Sequence, residues 1–378
     1  MRIALIHASA GHGHAQAAES AREGFLACGI PDRDVLVLDA LAETPAWFAK
    51  LYTSLYYYSV KHTPWLWGVS YSLFDNADFY QQIGRRGRRW LNGLIGNGLI
   101  RRMKREKPDV IIFTHFLAPE VLGWAKQKGQ ISAELLTVVT DFIPHQFWIN
   151  PGTDHYWVMS GEGKKILEER GIPSAKVTAG GIPVSLRFRP QSKKMEFRKK
   201  EGLDEKPFTI LITSGSFGLG PTVEVLQTLR GFGNAIQVMV VCGRNQDQFR
   251  LLERESYPFK LRLYGFVSNM DELMEASDLM VAKPGGATTA ESLAKGIPVV
   301  VLEPIPGQEA GNARLLRERN TSFFLGRPTD ISVVLKGILD YSSVLEEKRK
   351  NIERLAKPDA AVELARFVIE RIKGKSHG

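Results

Sequence analysis

The chain has 378 residues, 44% hydrophobic and 24% charged, with a formal net charge of +9. That length suits two domains of ordinary size, and the composition excludes a disordered, fibrous or disulfide-stapled protein. Cys28 and Cys242 lie far apart without metal-ligand spacing and read as reduced thiols of the cytosol, and no stretch reaches the roughly 18 apolar residues of a membrane span.

Residues 2–7 predict a buried parallel strand, and the expectation is a protein without a secretory leader. A glycine loop, Ser9-Ala10-Gly11-His12-Gly13-His14, follows, then an alanine-rich helix over 15–28 stopped by Gly29 and Pro31. With the next strand at 34–38 this is the βαβ opening of a Rossmann-like domain, although the loop is not GxGxxG. A histidine at the start of such a helix points into the crevice beyond the strand ends. The helix dipole there favours neutral imidazole, which can take a proton. His14 is thus a candidate base, and the alternative is a solvated or capping histidine.

More than a third of the chain's Phe, Tyr and Trp fall between Trp47 and Trp90, among them Trp65 and Trp67 after Pro64. Residues 85–107 then hold Arg85, Arg86, Arg88, Arg89, Arg101, Arg102, Lys104, Arg105 and Lys107 against Glu106 alone, nearly the whole net charge. Aromatics beside clustered arginines suit a peripheral membrane surface, by insertion plus attraction to anionic lipid. Arginines on phosphates with aromatics on bases would suit nucleic acid equally, but no zinc-finger spacing or aromatic RNA-binding strand is present, so no nucleic acid is expected. A solvated helix face explains the charge but not the aromatics.

A strand over 110–115, a helix over 119–128 and a strand over 135–139 come next. Asp141 and His145 fall just past a strand's carboxyl end, where open α/β sheets place their ligands. They read as assistants to the base or contacts for acceptor hydroxyls, or Asp141 as a loop cap. Strands at 156–159 and from 177, with a helix over 161–170 between, close a first domain of residues 1–185. The basic stretch 185–202 reads as an interdomain connection, its charge that of a solvated linker helix.

The pattern restarts with a strand at 208–213 and a second glycine turn, residues 214–220, that contains Ser216 and is followed by Pro221 at a helix start. Strands at 237–242, 261–264 and 278–282 lead to Lys283-Pro284-Gly285-Gly286, then a helix ending at Gly296. Adjacent glycines let backbone N–H groups approach an anion, and the helix turns its dipole to the same point. The turn is therefore a diphosphate seat, or else only a tight connection. Glu291 is a bidentate acceptor for ribose hydroxyls, or it closes a capping box with Thr288. Residues 203–356 form the second domain, and a last helix, 358–373, is expected to pack back across the domains and count with the first.

Together these residues resemble the monogalactosyldiacylglycerol synthase and processive diacylglycerol glucosyltransferase family and, more distantly, the peptidoglycan N-acetylglucosaminyltransferase. The likeness rests on Ala10 to His14, Lys107-Pro108-Asp109-Val110, Val139-Thr140-Asp141-Phe142 with His145, Gly265 to Met270, Lys283 to Gly286, Glu291, and Pro306-Gly307-Gln308-Glu309 with Asn312. His12 departs from it, standing where many members have glycine. The resemblance implies an α/β fold of two Rossmann-like domains with parallel sheets facing a cleft, the type B glycosyltransferase architecture. It implies an inverting, metal-independent enzyme, peripheral on the inner face of the cell membrane in the cytoplasm, that moves glucose or galactose from a UDP-sugar to diacylglycerol or a related lipid. UDP-glucose or UDP-galactose is then a substrate, and no cofactor is expected.

By the same resemblance His14 is the base, and Asp141, from its place past the strand end, is counted with it as catalytic. Gly285, Gly286 and Thr288 form the phosphate turn, Glu291 meets ribose, Gln308 and Glu309 meet the donor sugar, and Val267 meets uracil through its backbone. Gly13 and Ser216 complete the donor set. Trp65, Trp67, Arg85, Arg86, Arg88, Arg89 and His145 are expected on the acceptor and an anionic membrane surface. The rival readings are a UDP-sugar epimerase, which shares the fold and the UDP seat, and a non-enzymatic protein that binds lipid or nucleic-acid surfaces.

Overall fold

The computed structural model describes residues 1–9, 11–76, 96–213, 215, 218, 220–307 and 309–375, without the side chains of residues 56, 57, 60, 61 and 67. The chain forms two compact units: Met1–Leu186 with Pro306–Gly311 and Asp359–Gly378, and Arg187–Ile305 with Asn312–Pro358.

In the first unit, strands β1 (Ile3–His7), β2 (Val35–Asp39), β3 (Val110–Phe113), β4 (Glu134–Val138), β5 (His155–Val158) and β6 (Val177–Ala179) form one sheet in the order β2-β1-β3-β4-β5-β6. All neighbours are parallel. Parallel strands are covered on both faces, which is why they read as unbroken apolar runs such as the fully buried Val110–Phe113. Helices α1 (His12–Ala27), α2 (Ala46–His62), α3 (Pro64–Phe74), α4 (96–106), α5 (Leu117–Gln127) and α6 (Gly161–Glu169) connect them. Helix α1 starts three residues before the predicted point, so His14 sits in its first turn.

The second unit again has six strands, β7 (Phe208–Thr213), β8 (Ile236–Val241), β9 (Lys260–Tyr264), β10 (Leu279–Ala282), β11 (Val299–Val301) and β12 (Ser322–Phe324), in a different order. Their order is β12-β11-β10-β7-β8-β9, again parallel throughout. Renumbered within the unit this is 3-2-1-4-5-6 read from the other edge, the Rossmann order. Its helices are α7 (Lys194–Lys200), α8 (Thr222–Leu229), α9 (Gln246–Glu253), α10 (Met270–Ala276), α11 (Gly286–Lys295), α12 (Ala310–Glu318), α13 (Ile331–Asp340) and α14 (Ser342–Leu355). The last helix, α15 (Ala360–Lys375), clusters with the first unit, where Leu364, Ala365 and Val368 pack with Ala18, Ala21 and Phe25 of α1.

The basic connection is not the solvated linker its composition suggested. Arg198 of α7 is 3% exposed. Its guanidinium donates to the carbonyls of Ala276 and Glu205 at 2.9 and 2.6 Å and to the Asp278 carboxylate at 2.6 Å. Lys194 also pairs with Asp278, and Lys200 with Glu272. A buried guanidinium is tolerated because each of these acceptors replaces lost water.

Candidate active site

Strand order reverses about β1 in the first unit, so the carboxyl ends of β1, β3 and β4 border the position where open sheets bind ligands. Three segments converge there: the start of α1 after β1, Thr114 and His115 after β3, and Thr140 and Asp141 after β4. His14 Nδ1 lies 2.8 Å from the Thr114 carbonyl oxygen and 2.9 Å from Thr140 Oγ1. The Thr114 hydroxyl donates back to the His14 carbonyl at 2.8 Å. A carbonyl only accepts, so Nδ1 carries the proton and Nε2 presents its lone pair. His115 meets the His14 ring edge to face at 4.5 Å between centroids.

Burial pushes the His14 pKa down to about 4, with His7 adding to the fall and the Thr114 carbonyl opposing it. Desolvation is thus the leading cause, where the sequence suggested the helix dipole. His115 is held well below the usual range by burial and by its histidine neighbours. The imidazole of His14 is neutral across the physiological range and able to accept a proton.

Asp141 is 7% exposed. Burial lifts its carboxyl to about 6, with Glu309 adding to the rise and the hydrogen bond from Trp148 opposing it. That bond runs from Trp148 Nε1 at 2.7 Å. The nitrogen of His14 that needs orienting is therefore served by Thr114 and Thr140, and the Asp141 carboxylate is directed to Trp148. Sequence reading did not single out Thr114, Thr140 or Trp148 as site residues. The available signal was position, since two of them follow neighbouring strand ends.

His145 departs from its expected role as an acceptor contact. It is 3% exposed. Its Nε2 donates to the Tyr71 carbonyl at 2.8 Å, and its Nδ1 accepts from Phe147 N–H at 3.1 Å. With both nitrogens engaged, the ring fastens α3 to the loop after β4. Asp75, just past α3, strengthens the same joint: it takes Arg170 through both oxygens at 2.8 and 2.9 Å and accepts from Gln146 N–H at 2.9 Å. On its inner side α3 carries Gly68, where an added Cβ would stand 2.6 Å from Cβ of Pro306. Helix α3 therefore touches both the 306–311 segment, which holds Glu309, and the loop that holds Asp141.

The outer faces of α2 and α3 are apolar and open. Trp47, Leu51, Leu55 and Tyr58 follow one another at helical spacing on α2, and Trp65, Leu66, Val69 and Leu73 on α3, all exposed, Trp65 by 67%. On α4, Arg101, Lys104 and Arg105 are exposed. The side chain of Trp67 and all of Arg85, Arg86, Arg88, Arg89, Ser216 and Gln308 lie outside the described residues. Among the described residues no group of three or more His, Cys, Asp or Glu is arranged to hold a metal, and no helix is long and apolar enough to cross a membrane.

In the second unit the order reverses between β7 and β10, which places the turns after those strands at the switch point. Gly285 is the N-cap of α11, and no side chain caps the helix. The alternative reading of Thr288 and Glu291 as a capping box does not hold, because α11 begins at Gly286 and Thr288 is already its third residue. Among the described residues no side chain caps these first-turn N–H groups, which can therefore take an outside acceptor. Gly285 has φ −66°, open to any residue, so its conformation does not demand glycine. Asn312 of α12 donates to the Pro284 carbonyl at 2.8 Å and steadies the turn. One turn into the helix, burial lifts the Glu291 carboxyl to about 8, with Asp271 adding and Arg187 opposing. Val267 is half-buried between β9 and α10. Gly13 lies in the first turn of α1.

Two such parallel-sheet units in one chain are the type B glycosyltransferase fold, and solved structures share it. UDP-GlcNAc 2-epimerase from Neisseria meningitidis, bound to UDP-GlcNAc, matches with TM-score 0.63 and 15% identity over 99% of this chain and 100% of its own. MurG from Acinetobacter baumannii matches with TM-score 0.60 and 14% identity over 98% and 100%. At these identities the likeness is one of fold, and an epimerase and MurG share it alike.

The sequence divides them. Residues 14–184 match the model described as monogalactosyldiacylglycerol (MGDG) synthase, and residues 209–361 match the glycosyltransferase family 28 C-terminal domain. The protein is a glycosyltransferase of the type B class. More particularly, it is a homologue of the monogalactosyldiacylglycerol synthase and processive diacylglycerol glucosyltransferase family. It is 28% identical to the processive diacylglycerol beta-glucosyltransferase of Bacillus cereus (strain ATCC 10987 / NRS 248) over 100% of this chain and 94% of the relative. It is equally identical to that of Bacillus thuringiensis (strain Al Hakam), over 98% and 93%.

Proposed function

We propose that this enzyme transfers a hexose, with inversion, from UDP-glucose or UDP-galactose to the hydroxyl of diacylglycerol or a closely related lipid. The observation that carries the mechanism is His14 at the switch point of the first unit, its Nδ1 held by Thr114 and Thr140 and its Nε2 without a hydrogen-bond partner among the described residues. Nε2 takes the proton of the lipid hydroxyl as its oxygen attacks the anomeric carbon. The bond from that carbon to the UDP oxygen breaks on the opposite face, and its electron pair leaves with UDP. The imidazolium returns its proton to solvent. Charge gathering on the diphosphate is met by the uncapped N–H groups of Gly286 and Thr288 and by the α11 dipole. Glu291 takes the ribose hydroxyls, Val267 the uracil through its backbone, and Gln308 and Glu309 the sugar. Gly13 serves the donor, as does Ser216 by sequence, and Asp141 supports the lipid hydroxyl.

The reaction runs at the anionic inner face of the cell membrane, reached from the cytoplasm. The open apolar faces of α2 and α3 support this, since full burial of one such side chain is worth about 1.5–3 kcal/mol. Arg101, Lys104 and Arg105 add attraction to acidic headgroups, as do Arg85, Arg86, Arg88 and Arg89 by sequence. Replacing Trp65 and Leu66 by Ser lowers cosedimentation with phosphatidylglycerol vesicles several-fold; unchanged sedimentation rejects the membrane reading.

Thin-layer analysis of lipid products from several UDP-sugars, with and without diacylglycerol, tests the reaction itself. Lipid-dependent release of UDP with a new glycolipid is the expected result. Epimerised UDP-sugar without lipid product would return the assignment to the epimerase reading.

A further inference from the structure

We infer that Thr140 is the positioning residue for His14, so that a neutral clamp and not a carboxylate sets the tautomer and the plane of the base. The inference rests on the reading of His14 as the base. Bases of this kind are commonly oriented by an Asp or Glu that also stabilises the imidazolium. The adjacent carboxylate, Asp141, is occupied otherwise, accepting from Trp148 Nε1 at 2.7 Å. What faces Nδ1 is an amide oxygen at 2.8 Å and a hydroxyl oxygen at 2.9 Å.

The two acceptors have different tasks. The Thr114 carbonyl fixes which nitrogen bears hydrogen, and its hydroxyl bond to the His14 carbonyl at 2.8 Å ties the α1 backbone to the end of β3. One acceptor still lets the ring pivot about its bond to Cβ. The hydroxyl of Thr140, 4% exposed and just past β4, accepts the same N–H from the next strand over. The edge-on His115 ring limits the pivot from a third direction. Nε2 is therefore aimed by uncharged groups. None of them carries a negative charge, so the Thr114 carbonyl only partly opposes the effect of burial and the ring stays in the form that accepts a proton.

The test uses the full chain with UDP-glucose or UDP-galactose and diacylglycerol vesicles. Thr140→Val keeps the shape and removes the acceptor, Thr140→Ser keeps the acceptor, and His14→Ala is run beside them. Expected is a fall in kcat of about tenfold for Thr140→Val, the size of one lost hydrogen bond, with KM for the UDP-sugar unchanged and most of the rate recovered in Thr140→Ser. Nitrogen-15 NMR of histidine-labelled protein reads the tautomer, which the Thr114 carbonyl holds as Nδ1–H at His14 in the wild type, Thr140→Ser and Thr140→Val alike, so the loss in Thr140→Val is one of ring orientation. Wild-type kcat in Thr140→Val overturns the inference, as does a Thr140→Ser protein no better than Thr140→Val. A His14→Ala protein with full turnover sinks the base assignment itself, and this inference with it, so the two failures are told apart.

Discussion

All eight histidines of the chain belong to the first unit, and the second unit has none. Five of them, His7, His14, His115, His145 and His155, have pKa values lowered chiefly by burial. The second unit instead buries charge in pairs, such as Lys295 with Glu275 at 3.0 Å and Arg198 with Asp278 at 2.6 Å. It leaves open a helix start and a carboxyl lifted to about 8. Neutral imidazoles accept protons, whereas uncapped amides accept negative charge. The two halves are both six-stranded parallel sheets, with different strand orders, and carry opposite chemistry, which matches the two tasks of the reaction, activating a hydroxyl and holding a leaving diphosphate.

Substitution at one unit should therefore spare the task of the other. His14→Ala is expected to lower transfer by about 10²–10⁴-fold, the contribution of a general base, while calorimetry shows UDP bound as tightly as before. Loss of UDP affinity in parallel would mean that the tasks are not divided in this way.

Acid should distinguish the units next. His14 and His155 are both pushed down to about 4 from 6.5. Between those values the unfolded chain binds more protons than the folded one, so stability falls as pH drops, by on the order of 3 kcal/mol for each ring fully charged. Asp141, lifted from 3.8 to about 6, works in the opposite direction over its own range and offsets one ring. Glu291, lifted from 4.5 to about 8, makes the second unit more stable as pH falls through that window. Hydrogen exchange at pH 5 against pH 7 should show protection lost first in β1, β3, β4 and β5, and retained in β7, β8 and β10. Earlier loss in the second unit would contradict the histidine account.

A smaller effect is expected from Glu291→Gln. Ribose hydroxyls bond best to the ionised carboxyl, so wild-type affinity for UDP should rise as pH increases toward about 8. The variant should bind about tenfold more weakly, the order of a hydrogen bond to a charged group, and lack that slope. Equal slopes in both proteins would remove Glu291 from the nucleotide site.

Much of this was legible in the sequence because parallel strands are buried on both faces and stand out as unbroken apolar runs. Residues 110–113 and 208–213 were read nearly to the residue for that reason. The turns at His14 and Gly285 were legible too, since each follows such a strand. What escaped was decided by partners distant along the chain. Whether Arg198 is solvated depends on Ala276 and Asp278, some 80 residues away. Whether His145 is free depends on Tyr71, and whether Asp141 serves the base depends on which way Trp148 turns. The capping box failed on a smaller matter, a helix that starts at Gly286 and so places Thr288 inside it.

The division of labour is tested most directly by the structure of the protein with UDP bound. The diphosphate should lie against the N–H groups that open α11, over Gly285 and Gly286, with the ribose hydroxyls on Glu291. A nucleotide held instead among the histidines of the first unit would contradict the account.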